Sequence, residues 1–209
     1  MEQHYMNRLD TETETTINKS RFISSIRRTD TEAEAKAFID EVRRRHKDAT
    51  HNCSAYIIGE HALTQKADDD GEPSGTAGVP ILEVLKREGM YNVTVAVTRY
   101  FGGIKLGGGG LIRAYSNAAS DAVKTAGKVI EVSMIPFRIT MDYTHTSRFE
   151  HYTAEAGIEI KDTGYTDKVT YLVHVKTAEK DIFLSKLREI TKDTHELDEL
   201  DIIHAESAF

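Results

Sequence analysis

Tyr91-Asn92-Val93-Thr94-Val95-Ala96-Val97-Thr98-Arg99-Tyr100 runs directly into Phe101-Gly102-Gly103-Ile104-Lys105-Leu106-Gly107-Gly108-Gly109-Gly110-Leu111-Ile112-Arg113. Val93, Val95 and Val97 alternate with Thr94, Ala96 and Thr98, the period-two pattern of a strand. The glycines end it, and an alanine-rich helix is expected over 111–126, stopped by Gly127. A single strand feeding a single helix points away from an all-β sandwich and toward an α/β or α+β chain.

Upstream, the same alternation of single elements continues. A strand is expected over 16–26. Thr31 with Glu34 three residues on is a capping-box signature. Ala35, Phe38, Ile39 and Val42 then mark one apolar helical face, in a helix ending near His46. Strands are expected over 53–58 and 61–66, and a helix over 76–88 with Pro80 in its first turn and Gly89 as its stop.

Downstream the chain changes character. Ile135, Phe137, Ile139, Met141 and Tyr143 alternate with mostly polar residues, and a helix carrying Phe149, Tyr152 and Ala156 runs to Gly157. Short apolar runs at Ile158 and Ile160, then Val169 to Val175, predict two strands. A helix with Phe183, Leu187 and Ile190 and a last strand over 200–204 follow. This β-α-β-β-α-β order is that of a ferredoxin-like split βαβ unit. The boundary is placed near Val132, giving domains 1–132 and 133–209. Strand parity sends Phe137, Tyr143 and Tyr171 to the core and leaves Arg138, Thr140, Asp142, Thr170, Leu172, His174 and Lys176 on the other sheet face. That face has no aromatic platform on which to stack bases, which argues against an RNA-recognition motif.

The bulk numbers narrow the function. A net charge of −7 over 209 residues excludes a wholly basic nucleic-acid wrapper, while leaving room for a local basic site. Cys53 is the only cysteine, so neither an internal disulfide nor a cysteine-rich zinc site can form. The first twenty residues are polar and no stretch approaches the ~20 apolar residues of a membrane span, so a cytoplasmic protein without membrane contact is expected.

Two segments could carry chemistry. Six of the fifteen residues from Arg99 to Arg113 are glycine, and no acidic residue falls between Gly89 and Ser120 while Arg99, Lys105 and Arg113 do. Glycine-rich turns into helix N-termini present backbone N–H groups to anions. Arg99, Gly102, Gly103, Lys105, Gly107, Gly108 and Arg113 are therefore the candidate phosphate- or RNA-binding residues. The plain alternative is a tight turn whose Arg99 pairs with Asp68, Asp69 or Asp70. Neither GxxxxGK[ST] nor GxGxxG spacing is present. A loose likeness to the glycine loop of galactokinase–mevalonate kinase enzymes fails where Leu111 and Ile112 replace serines.

The second segment, Asp68-Asp69-Asp70-Gly71-Glu72-Pro73-Ser74-Gly75-Thr76, does not fit an EF-hand. Its acids would serve as magnesium ligands only beside a phosphate; Glu72, Ser74 and Thr76 are also candidates to cap the next helix. His51 and Cys53 share a strand face, a spacing compatible with a nucleophilic pair but without a third member. No catalytic residue, metal ligand or cofactor is assigned.

Lys19-Ser20-Arg21-Phe22-Ile23, Ala49-Thr50-His51-Asn52-Cys53-Ser54-Ala55-Tyr56, Asp70-Gly71-Glu72-Pro73-Ser74-Gly75-Thr76-Ala77-Gly78 and Arg99-Tyr100-Phe101-Gly102-Gly103 stand in the order and spacing of the IMPACT family. The resemblance is carried by residues 15–130, and the second domain is similar to the bacterial YigZ-type arrangement. It implies an α+β protein: a first domain like domain two of ribosomal protein S-five, also seen in domain IV of elongation factor G, and a ferredoxin-like second domain like domain V of that factor. It also implies a regulator of translation that meets RNA or the ribosome without catalysis. The alternatives kept open are an enzyme on a small phosphorylated or nucleotide substrate, with Asp68, Asp70 or Glu72 holding magnesium, and a protein-interaction module. Eukaryotic members act on a stress-kinase pathway through an additional N-terminal domain, and that partner is not carried over. The family supplies no catalytic residues to transfer.

Overall fold

The computed structural model describes residues 4–59, 62 and 64–208. They form two compact units, one running to Ile130 and taking in Ala208, the other covering Glu131–Ser207.

After the short β1 (Met6–Asn7), the first unit is built on β2 (Thr11–Ile17), β3 (Ser20–Arg28), α1 (Glu32–Arg45), β4 (His51–Ile58), β5 (Thr64–Asp68), α2 (Gly78–Arg87), β6 (Val93–Tyr100) and α3 (Gly107–Ala126). The five longer strands make one antiparallel sheet in the order β2-β3-β6-β4-β5. The single strand expected over 16–26 is instead the end of one strand and most of the next. Asn18 and Lys19 take φ of 46° and 65°, and Ile17 pairs with Ser20 across this two-residue turn. Two positive φ values give the twist of a tight hairpin, and Asn-Lys is a weaker signal for it than Asn-Gly. The strand expected over 61–66 lies partly outside the described residues; Thr64–Asp68 pairs with β4.

α1 begins and ends where its signature predicts. Thr31 Oγ1 accepts from Glu34 N at 3.2 Å, and Glu34 reaches back to accept from Asp30 N at 2.8 Å. β6 is buried on both faces. Val93, Val95 and Val97 meet the core shared with α2 and α3, while Ala96 packs on Phe38 and Val42 of α1. The threonines between them are buried and satisfied: Thr94 with Thr29 at 2.7 Å, Thr98 to Asn52 Oδ1 at 2.7 Å. α3 buries Ala114, Ala118, Ala119, Ala122 and Ala126 with Leu111, Tyr115 and Val123. A stripe of alanines lets the helix lie close to the strands. The helix starts at Gly107 rather than 111, so four glycines form its first turn.

The chain then enters β7 (Lys128–Met141), whose first residues pair with β1. The second unit continues through α4 (Tyr143–Glu155), β8 (Ile160–Tyr165), β9 (Val169–Lys176), α5 (Lys180–Thr191), β10 (Glu196–Glu199) and β11 (Ile203–Ala208). Its antiparallel strands lie in the order β8-β9-β7-β10. Phe137, Ile139, Met141, Tyr171, Val173, Phe149, Phe183 and Leu187 share its core. Tyr143, expected on the core side, is half exposed because β7 ends at Met141 and Tyr143 opens α4.

The last strand, expected over 200–204, is two strands with a break at 200–202. Pro136 accounts for it. Its carbonyl accepts from Leu200 N at 2.9 Å, but proline has no N–H to return the bond, so the ladder lapses there.

Candidate functional site

β4, β6, the loop between β5 and α2, and the first turn of α3 converge on a cavity of about 420 Å³ in the first unit. Arg99, one residue before the end of β6, keeps the parity of Val93, Val95 and Val97, which turns its side chain to the α3 side of the sheet. The guanidinium is 6% exposed. Its Nη1 donates to Glu72 Oε1 at 2.7 Å, its Nε has no partner, and Phe22 and Phe101 flank it at 5.6 and 5.4 Å. Glu72 is equally buried, and Tyr115 on α3 also donates to its Oε1 at 2.8 Å. Burial, then Cys53 and Glu72, push the Tyr115 phenol well above its usual range.

His51 at the start of β4 reaches the same carboxylate. Its Nδ1 lies 2.8 Å from the Asp70 carbonyl oxygen, which can only accept, so that nitrogen carries a hydrogen. Nε2 is left 3.8 Å from Glu72 Oε2 at the cavity wall. Cys53 does not share this role. It is fully buried, with Sγ 3.0 Å from the Asp69 carbonyl and 3.4 Å from Tyr115 Oη, and burial pushes the thiol up to about 12. A thiol of that kind is not a nucleophile.

The acidic loop is structural. Asp69 Oδ1 accepts from Ala77 N at 3.0 Å and Gly78 N at 2.8 Å, and its Oδ2 accepts from Gly75 N at 2.8 Å. It therefore caps α2, a role expected of Glu72, Ser74 or Thr76; Thr76 Oγ1 turns back to the Pro73 carbonyl. Asp68 and Asp70 pair with Arg43 at 2.9 and 3.5 Å. Arg99 thus pairs with Glu72 and not with the three aspartates, and among the described residues no cluster of acids, histidines and cysteine is placed to hold a metal.

The Asp69 cap makes a pH-dependent contribution. Burial raises its carboxyl, but the three backbone donors outweigh that and hold it below its ordinary 3.8. A depressed folded-state value stabilises above the unfolded value and is lost as pH falls through the folded one. Asp69→Ala is expected to cost about 1–2 kcal/mol near neutral pH. In urea titrations the gap to wild type should close below pH 4; a gap independent of pH would show that the carboxylate is not the cap.

Of the candidate phosphate residues, Arg99, Lys105, Gly107 and Gly108 line the cavity. Gly102, Gly103 and Arg113 do not. A Cβ on Gly102 would come 2.0 Å from the Lys19 backbone, so this glycine serves close packing. Gly103 turns the chain at φ +84°, and Arg113 is exposed on α3. His51, Glu72 and Tyr115 complete the site. The Leu111, Tyr115, Ala118 spacing was the sequence signal for the last of them.

The IMPACT N-terminal domain model matches residues 18–123, and a domain of unknown function (DUF1949) matches 139–194. The chain is 43% identical over 197 residues to the IMPACT family member YvyE of Bacillus subtilis, covering 94% of this chain and 91% of that one. It is 33% identical over 183 residues to the family member YigZ of Escherichia coli, covering 87% and 90%. A crystal structure described only as that of a hypothetical protein matches at a TM-score of 0.60 and 30% identity, over 96% of this chain and 98% of its own. With three of its four motifs lining one cavity and both halves matched in order, the chain belongs to the IMPACT family, alongside YigZ and YvyE.

Proposed function

We propose that the protein is a cytoplasmic, non-catalytic regulator of translation that meets RNA or the ribosome through the basic glycine loop of its first unit. One observation carries this reading. The N-terminus of the 20-residue α3 has no side-chain cap and no acid in its first turn, and it opens on a cavity beside Lys105. Unpaired N–H groups at the positive end of a helix, next to a lysine, favour phosphate. The strand order β8-β9-β7-β10 with two helices supports a ferredoxin-like second unit of the kind seen as domain V of elongation factor G. The sheet of the first unit supports likeness to domain two of ribosomal protein S-five. Two such domains in one chain favour a ribosomal setting, though fold alone does not fix function.

The test is co-sedimentation with ribosomes over a salt series, comparing wild type with Lys105→Ala/Arg113→Ala. Both side chains are exposed, so the variant keeps its fold. Binding should weaken steeply with salt, and the variant's slope should be smaller by about two charges. Absence of wild-type binding at low salt would sink the reading.

No helix among the described residues is long and apolar enough to cross a membrane.

A further inference from the structure

We infer that the cavity is a phosphomonoester site, built for the end-on dianionic phosphate of a mononucleotide or an RNA terminus and not for a phosphate inside a chain. The inference rests on the reading that this loop meets phosphate, and adds which phosphate it takes.

Three independent features of the cavity converge. Gly107 and Gly108 place the uncapped start of α3 in its wall, with Lys105 beside them. Arg99 also lines it, 5% exposed, with its Nε lacking any partner although Nη1 is held by Glu72. A buried donor left unpaired is costly unless something completes it. The third feature is the space at Gly108. A Cβ built there meets nothing within 4 Å, and no positive φ requires glycine. Neither packing nor backbone conformation explains the missing side chain; close approach of a ligand to the backbone does.

The charge balance favours an anion. Glu72, the one acid in the wall, is neutralised by Arg99 and hydrogen-bonded by Tyr115, which leaves Lys105, the Arg99 Nε and the helix N–H groups as donors. Phe101, 46% exposed at the wall, offers an aromatic face. Concavity selects the monoester. A terminal phosphate offers three oxygens and nearly two charges to one helix end. A diester offers two oxygens and must leave the cavity in two directions. About 420 Å³ lies within the range of small-ligand pockets.

Calorimetric titration of the full chain would use inorganic phosphate, 5′-AMP, 3′-AMP, adenosine, and one RNA decamer bearing a 5′-phosphate, a 3′-phosphate or neither. Phosphate-bearing probes should bind at least tenfold more tightly than their dephosphorylated partners. Tighter binding of the nucleotides than of the RNA ends identifies a free nucleotide, and the reverse an RNA terminus. Gly108→Asp places a carboxylate at a helix N-terminus, so the melting temperature should hold or rise while binding falls at least tenfold. Lys105→Ala should also weaken it. Equal binding of phosphorylated and unphosphorylated RNA overturns this inference and leaves RNA contact standing. No binding by any probe overturns it too, and ribosome co-sedimentation then judges the broader reading separately.

Discussion

Glu72→Ala is expected to destabilise the first unit by about 3–5 kcal/mol, the usual cost of leaving one partner of a buried pair uncompensated. The Arg99 and Glu72 side chains are 6% and 3% exposed, and they meet at 2.7 Å. Removing the carboxylate strands the guanidinium between Phe22 and Phe101 and takes the acceptor from the Tyr115 hydroxyl. Urea unfolding at neutral pH would register the loss. Much of it should return in Glu72→Leu/Arg99→Met, where both charges leave together and apolar volume remains. A loss below about 1 kcal/mol in the single variant would mean that water reaches the pair and keeps the guanidinium solvated without its partner.

Phe183→Ala carries a comparable expectation in the second unit, about 3–5 kcal/mol for a phenyl ring taken from a closed core. Phe183 is 1% exposed, stacked on Phe137 at 5.4 Å and near Tyr152 at 6.3 Å. For a unit of this size each kcal/mol shifts the melting point by several degrees, so a drop of more than about 10 °C should appear in calorimetry. The division into two units adds a second readout. If each melts on its own, the transition belonging to the first unit keeps its position. A shift of only a degree or two would show that the ring is replaceable by relaxation of its neighbours.

Much of this architecture is legible in the sequence because local rules and tertiary packing agree. The Thr31 capping box, the stop at Gly89 and the alternation of Val93, Val95 and Val97 each act within one element, and each element forms where they place it. The departures come from partners distant in sequence. Pro136 interrupts a strand more than sixty residues later, which no window around Leu200 could reveal. The backbone of the Asn18-Lys19 turn lies against Gly102 of another loop, so closely that a Cβ there would collide with Lys19. The site divides the same way. Charge inversion across 89–120 singles out Arg99 and Lys105, and glycine density singles out Gly107 and Gly108. What the pattern does not tell is which acid answers Arg99. Four carboxylates lie within five residues, and only the fold of that loop sends Asp69 to cap α2 and Glu72 inward. His51 was visible through its spacing from Cys53, yet its working neighbour is Glu72.

The seclusion of Cys53 has a practical consequence. With its thiol fully buried and raised to about 12, the folded chain is silent toward thiol reagents at ordinary pH. A cysteine introduced on the surface is therefore the fast-reacting position, and a probe can be placed beside the cavity without first removing a native residue. The same silence ends when the first unit opens, so the slow labelling of Cys53 becomes a clock for that opening, read from the native protein and without denaturant.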